Sequence, residues 1–488
     1  MRAVPVTMIF RAAVAGSALF PQIITAAPLA PPAFENGLRR TMLVEGQGNS
    51  FTLASRMEHY RVPGVSVAII DRCRIVDARG FGASAGDGAA VTKNTLFQAG
   101  SLSKSITAVA ALKLVEKGKL QLDNEVRPLV PSWIAKNSPA GSTSAVTLRR
   151  LLNHTAGLNE IGGVGYDRGA PLPTLAQIIN GSPPANTPPI RVETAPGTKW
   201  TYSSGGYYLI QALMTGTTGK SFQRLVQELV FEPAGMRASS FAQPLDGSQS
   251  RRAANANGPD GTPMPGGWRV NPELAAAGLW TTPADLARFL IALSHDIRGE
   301  GQNLLSHGSV EQMMAAGPRN WGLGVELGSK DGPRRIGHTG HNTGYVSEYV
   351  MYPDSCQGAV VMTNGDEGGW LITETLRAIA DTYHWPEPRL STVHSAMPMT
   401  DAIARRFVGT YRLRDFPTEK FTISRKADGG LYWARVGHVG RDLLPEQSGR
   451  LFSPDSQMTM DVADPTAERA TTILVGFGGG KNVAECIE

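Results

Sequence analysis

The sequence predicts a mixed α/β (α+β) body followed by a small all-β domain. Three observations carry this reading. An apolar hairpin stands early in the body at 63–81, a helix apolar on nearly every side follows at 106–115, and beyond residue 400 the pattern changes to short alternating strands. A chain of 488 residues has room for two or three domains. With 41% hydrophobic and only 18% charged residues it can bury a large core, which excludes global disorder.

The first 27 residues read as an export signal. Arg2 and Arg11 supply positive charge, 12–20 is a short apolar stretch, and Thr25-Ala26-Ala27 offers small residues for cleavage. Broken at Pro21, the stretch is too short to span a bilayer, and no run of about 18 apolar residues occurs elsewhere. A soluble periplasmic or secreted protein without a transmembrane segment is expected.

The body, 28–385, begins with an amphipathic helix at 51–60. Pro63-Gly64-Val65-Ser66-Val67-Ala68-Ile69-Ile70 is a buried strand, Asp71-Arg72-Cys73 a turn, and 74–81 the returning strand. Helix 106–115 carries one charge, Lys113, so it lies inside the domain, and Gly118 ends it. From 120 to 325 helical patterns alternate with the loops that 55 Gly and 33 Pro anticipate. Thr282 as cap, Pro283 and Asp285 mark one helix start. Segment 244–267 reads as a long irregular loop. Strands resume at 334–337, 344–352 and 358–363, and helix 370–383 closes the body. A linker follows at 386–400. Strands at 410–413, 421–424, 431–436, 458–462, 472–476 and 483–487 build the domain 401–488, with Asp428-Gly429-Gly430 as a hairpin turn.

Several function classes drop out. The net charge of +5 is scattered, with no block of five like charges, and aromatics are 7%, so nucleic acid is not an expected partner. Three cysteines are too few for a zinc cluster, and His59, His295, His307, His384, His394 and His438 are isolated. His154 is assigned to packing under the active site. No metal and no cofactor are expected. Gly216-Thr217-Thr218-Gly219-Lys220-Ser221 imitates a phosphate loop, but Met214 stands where its first glycine belongs, so Gly219 is read as a helix end.

The chemistry-bearing candidates start with Ser101-Leu102-Ser103-Lys104. On a helix, i and i+3 share a face, which sets an amine against a hydroxyl. With 32 Ser and 12 Lys, about one such pair arises by chance, so the motif alone says little. Its setting says more: Gly100 precedes it and the buried helix follows, placing Ser101 at a helix N-terminus that favours a developing anion. Downstream stand Tyr202-Ser203-Ser204, after a turn, and His338-Thr339-Gly340, in a strand context. No Gly-x-Ser-x-Gly elbow surrounds Ser101, which argues against an α/β-hydrolase.

In this order the three elements resemble the active-site motifs of serine β-lactamases and penicillin-binding proteins, with the Tyr variant of class C β-lactamases and their related esterases. The segments Leu151-Leu152-Asn153-His154-Thr155-Ala156-Gly157-Leu158, Gly278-Leu279-Trp280-Thr281-Thr282-Pro283 and Trp321-Gly322-Leu323-Gly324 resemble the same superfamily. The resemblance spans about 50–385. It implies an antiparallel sheet flanked by helices with a helical subdomain, and the tail resembles the small β domain often appended to these hydrolases.

It further implies Ser101 as nucleophile, Lys104 as a tuning charge and Tyr202 as general base, its phenol acidified by the Lys104 ammonium. The oxyanion donors would be the backbone N–H groups of Ser101 and His341. Ser204, His338, Thr339, Gly340 and His341 would contact substrate, with the His338 side chain facing the cleft. Two departures weaken efficient β-lactam hydrolysis: His338 replaces the family's Lys, and Ser204 replaces an Asn. The expected function is an exported serine hydrolase acting through an acyl-Ser101 intermediate on a small ester, amide or peptide. A non-catalytic peptidoglycan- or β-lactam-binding protein on the same fold is the alternative. The motifs all precede the linker, so removing everything beyond Trp385 is expected to leave the Ser101 chemistry in place.

In the superfamily's sheet the first strand pairs antiparallel with the last, which would bring the turns holding Cys73 and Cys356 to one edge. A bridge and unpaired thiols both remain open, with Cys486 a buried free thiol. The oligomeric state is open.

Overall fold

A computed structural model describes residues 33–130, 133, 145–416, 418–477 and 480–488. The expected export signal, 1–27, lies outside the described residues.

The body is built on one six-stranded sheet. Its strands are β1 (Gly64–Asp71), β2 (Arg74–Gly82), β3 (Glu326–Leu327), β4 (Ile336–Asn342), β5 (Tyr345–Tyr352) and β6 (Gln357–Thr363), in the order β2-β1-β6-β5-β4-β3. Every pairing is antiparallel. To the same body belong the helices α1 (Leu53–Tyr60), α2 (Ser103–Glu116), α3 (Ser204–Thr218), α4 (Pro283–Ile297) and α5 (Gly368–Thr382).

Side chains alternate across a strand, so each strand feeds two cores. Val65, Val67 and Ile69 of β1 pack with Leu53 and Met57 of α1 and Leu371 and Leu376 of α5. Ala68 and Ile70 point the other way, into the larger core that holds α2, α3 and α4. Both faces are covered, which is why β1 reads as an unbroken apolar run rather than an alternating one. The predicted cap also forms: the Thr282 side chain accepts the Asp285 N–H at the start of α4.

The C-terminal part is a closed eight-stranded barrel, running from Gly409–Leu413 to Gly480–Cys486 around Tyr411, Ile423, Leu431, Leu443, Met460 and Ile473. Two of its strands, Arg441–Pro445 and Leu451–Phe452, were not expected. Pro445 removes a ladder donor and Leu451–Phe452 is only two residues long, so neither carries a strand signature. Thr392–His394, inside the predicted linker, pairs in parallel with Met42–Val44.

The barrel meets the body through buried charge. Asp455, in the barrel, accepts from Arg56 Nη2 at 2.6 Å and His59 Nε2 at 2.8 Å and pairs with Arg40 at 2.9 Å. Arg56 is held from its other side by Glu374 at 2.7 Å. Glu367 of the body pairs in turn with Arg441 and His438 of the barrel.

Cys73 and Cys356 are bridged, with Cα atoms 5.0 Å apart. The β1–β2 and β5–β6 turns do lie together, because β1 pairs antiparallel with β6. A crosslink across 283 residues contributes at most ~5 kcal/mol through the entropy of the unfolded chain. Cys486 is half-exposed rather than buried, its Sγ 3.2 Å from the Glu488 carbonyl. Denatured without reductant, the protein is expected to titrate with one free thiol, and three would exclude the bridge.

Candidate active site

Ser101 lies in the 3-10 turn Gly100–Leu102 that feeds directly into α2. Two glycines let this turn press against β4. Gly100 has φ +53°, and a Cβ there would meet the His341 nitrogen at 2.6 Å. A Cβ on Gly340 would fall 2.0 Å from the Ala99 carbonyl oxygen. The turn is then pinned: Ser103 Oγ donates to the Gly100 carbonyl at 2.6 Å, and Ser347 Oγ to that of Ala99 at 2.8 Å. β3 pairs β4 only at Ile336 and Gly337, so the following stretch of β4 keeps its outer edge free of a strand.

Lys104, one turn along α2, is fully buried. Its Nζ lies 2.9 Å from Ser101 Oγ and donates to the Ala276 carbonyl at 3.1 Å. The ring centres of Tyr202 and Tyr207 stand 5.1 and 5.5 Å away. No carboxylate among the described residues pairs with it. Burial without a counter-charge disfavours the ammonium and lowers its pKa to about 7.

Tyr202 precedes α3. Burial raises its phenol to about 12, while a hydrogen bond with Ser101 pulls the other way. These directions reverse the expected pattern, in which a Lys104 ammonium acidifies Tyr202. Both groups are desolvated, so each favours its neutral form: an amine and a phenol. Tyr202 is wedged among rings, with His154 at 4.4 Å, Trp321 at 5.8 Å and Trp200 at 6.3 Å between centres. His154 does pack under the site. Its Nδ1 accepts the Ser203 N–H at 3.2 Å, and burial, then the Lys104 charge, holds it neutral.

A cavity of about 270 Å³ opens in front of Ser101. Ser101, Tyr202, Ser204 and His341 are on its wall, with Lys104 behind Ser101. His338 is not on the wall. It is 3% exposed, its Nδ1 donates to the Thr339 carbonyl at 2.6 Å, and burial followed by the Lys104 charge lowers it to about 3. The ring packs on Trp321, 5.3 Å between centres, rather than facing the cleft. Thr339 is exposed away from the cavity lining, and Gly340 serves the close approach of β4 to the turn that carries Ser101.

Sequence reasoning missed the other polar side chains of the wall: Glu160, Tyr208, Asn271, Glu273 and Asn342. Asn271 and Asn342 both donate to Gln98 Oε1, at 2.8 and 2.6 Å, and so form a polar floor. Gln98 sits three residues before Ser101, but its partners come from 173 and 244 residues away. Among the described residues, the cavity is lined by two carboxyl side chains and by no lysine or arginine.

The Beta-lactamase family model matches residues 52–384, more than half of the chain. Penicillin-binding protein 4 of Amycolatopsis lactamdurans is 29% identical over 67% of this chain and 87% of its own length. The D-alanyl-D-alanine-carboxypeptidase/endopeptidase AmpH of Escherichia coli is 26% identical over 54% of this chain and 69% of its own. Among solved structures, the octameric penicillin-binding protein homologue from Pyrococcus abyssi superposes with a TM-score of 0.58 at 22% identity, covering 89% of this chain and 98% of that one. With its Ser101 turn, buried lysine and tyrosine in place, the chain belongs to the beta-lactamase family and is a serine hydrolase.

Proposed function

We propose an exported hydrolase that cleaves an ester or amide through an acyl-Ser101 intermediate, of esterase or D-amino-acid peptidase type rather than an efficient β-lactamase. The observation that carries it is a Lys104 amine, lowered to about 7, standing 2.9 Å from Ser101 Oγ.

The neutral amine accepts the Ser101 proton as Oγ attacks the substrate carbonyl. The backbone N–H groups of Ser101 and His341 flank the position of the developing oxyanion. Tyr202, a neutral phenol bonded to Ser101, donates its proton to the departing alcohol or amine and regains one from the Lys104 ammonium. Water then attacks the acyl-serine by the same relay in reverse. This exchanges the roles expected for the pair: Lys104 is the base and Tyr202 the proton carrier. Among the described residues, a substrate carboxylate finds no lysine or arginine on the cavity wall, which disfavours β-lactams. The Cys73–Cys356 bridge supports an oxidising, extracytoplasmic location.

A fluorophosphonate probe tests the reading. Wild-type protein is expected to be labelled on Ser101, and Ser101→Ala to be unlabelled yet folded, since Ser101 makes no cap bond. An unlabelled wild type would instead favour the non-catalytic binding protein.

A further inference from the structure

Glu273 is the feature of the cavity that the mechanism leaves unused. It is 2% exposed and lies on the same wall as Ser101 and Tyr202. Its Oε1 accepts no hydrogen bond, and it forms no ion pair among the described residues. Gly163, also on the wall, leaves a methyl-sized gap beside it: a Cβ there would lie 3.5 Å from Oε1, in ordinary van der Waals contact. A buried acceptor without a partner is costly, and such groups are retained where something from outside completes them. Around it stand Tyr166 and Tyr208, both neutral phenols, and Glu160 at the exposed rim. Among the described residues, the one other titratable group facing the cavity besides Ser101's partners is His341, which is already paired with Asp366 at 3.3 Å. Among the described residues, none supplies a cation to this carboxyl.

We infer that Glu273 is a specificity residue that receives a primary ammonium group of the substrate, so that the natural substrate is an amine-bearing ester or amide. The inference rests on the proposed acyl-Ser101 chemistry and names the substrate class for it. Two further facts agree with it. Burial holds the Glu273 carboxyl up at about 7, its own backbone N–H pulling the other way, so an arriving ammonium would be the counter-charge that ionises it. Glu160 adds a second carboxyl at the entrance, and among the described residues no lysine or arginine on the wall opposes a cation.

Two matched substrate pairs test this. D-Alanine p-nitroanilide is compared with N-acetyl-D-alanine p-nitroanilide, which places the amine in the acyl part. 4-(Aminomethyl)phenyl acetate is compared with 4-methylphenyl acetate, which places it in the leaving group. In one pair the amine-bearing member is expected to show a kcat/KM at least ~10-fold higher, the smaller end of what a site with an otherwise unpaired buried group discriminates. Glu273→Gln, which keeps the shape but not the charge, is expected to erase that ratio through KM, and Glu273→Asp to retain part of it. No preference in either pair, or a preference untouched by Glu273→Gln, overturns the inference while fluorophosphonate labelling of Ser101 persists. A wild type that is not labelled overturns the acyl-enzyme reading, and this inference with it.

Discussion

Lys104→Met is expected to lower the acylation rate by ~10³-fold, within the range that general-base catalysis supplies. Met fills the buried space that Lys104 occupies between Tyr202 and Tyr207, so the fold is retained while the base is removed. Lys104→Arg is expected to be as inactive, because a guanidinium does not give up its proton near neutrality. Stopped-flow acylation with a neutral ester measures both. A variant that keeps more than a tenth of the wild-type rate would return the base role to Tyr202. The same reading sets the pH profile. Below about 7 Lys104 is protonated and cannot accept the Ser101 proton, so kcat/KM for a neutral ester rises with pH through about 7. A profile still rising to about 10, where an unperturbed lysine titrates, would show that burial does not govern this amine.

Asp455→Ala is expected to destabilise the protein by ~3–5 kcal/mol, since removing one partner of a buried pair leaves the other charge uncompensated. The side chains of Asp455 and Arg56 are each 3% exposed, and Arg40 and His59 share the same carboxylate. Burial alone would raise the Asp455 carboxyl, but His59, Arg40 and Arg56 together hold it well below the ordinary value. Its stabilisation is therefore complete above the unfolded carboxyl pKa, near 4, and is lost as pH falls further. Urea unfolding at pH 7 measures the loss, and a change under 1 kcal/mol would mean the barrel is not held by this pair. Truncation after Trp385 removes Asp455, Arg441 and Thr392–His394 together. It exposes Arg56 and Glu367 without their barrel partners and takes away the strand paired with Met42–Val44. The sequence-based expectation that the body keeps its chemistry without the tail therefore becomes an expected loss of folded protein.

Much of this molecule was legible in one dimension, for a physical reason. Elements whose signal is local, such as the hairpin of β1 and β2, the all-round apolar α2 and the Thr282 cap, announce themselves through periodicity and capping, because neighbours in sequence make them. Ser101 and its lysine belong to this class: three residues on one helix turn put Lys104 against Ser101 whatever the rest of the chain does. The proton on that lysine is different. It depends on water being excluded by Ala276, Tyr202 and Tyr207, which come from distant segments, so the tertiary structure carries the shift toward a neutral amine and a neutral phenol on which the proposed base role of Lys104 rests. His338 follows the same logic: its triplet was visible, but its burial against Trp321 was not. Glu273 stands in an unremarked Pro-Glu-Leu stretch and becomes part of the site only where the chain folds it beside Ser101, without a partner for its charge. The pattern of residues determined which groups could react, and packing decided which of them are charged.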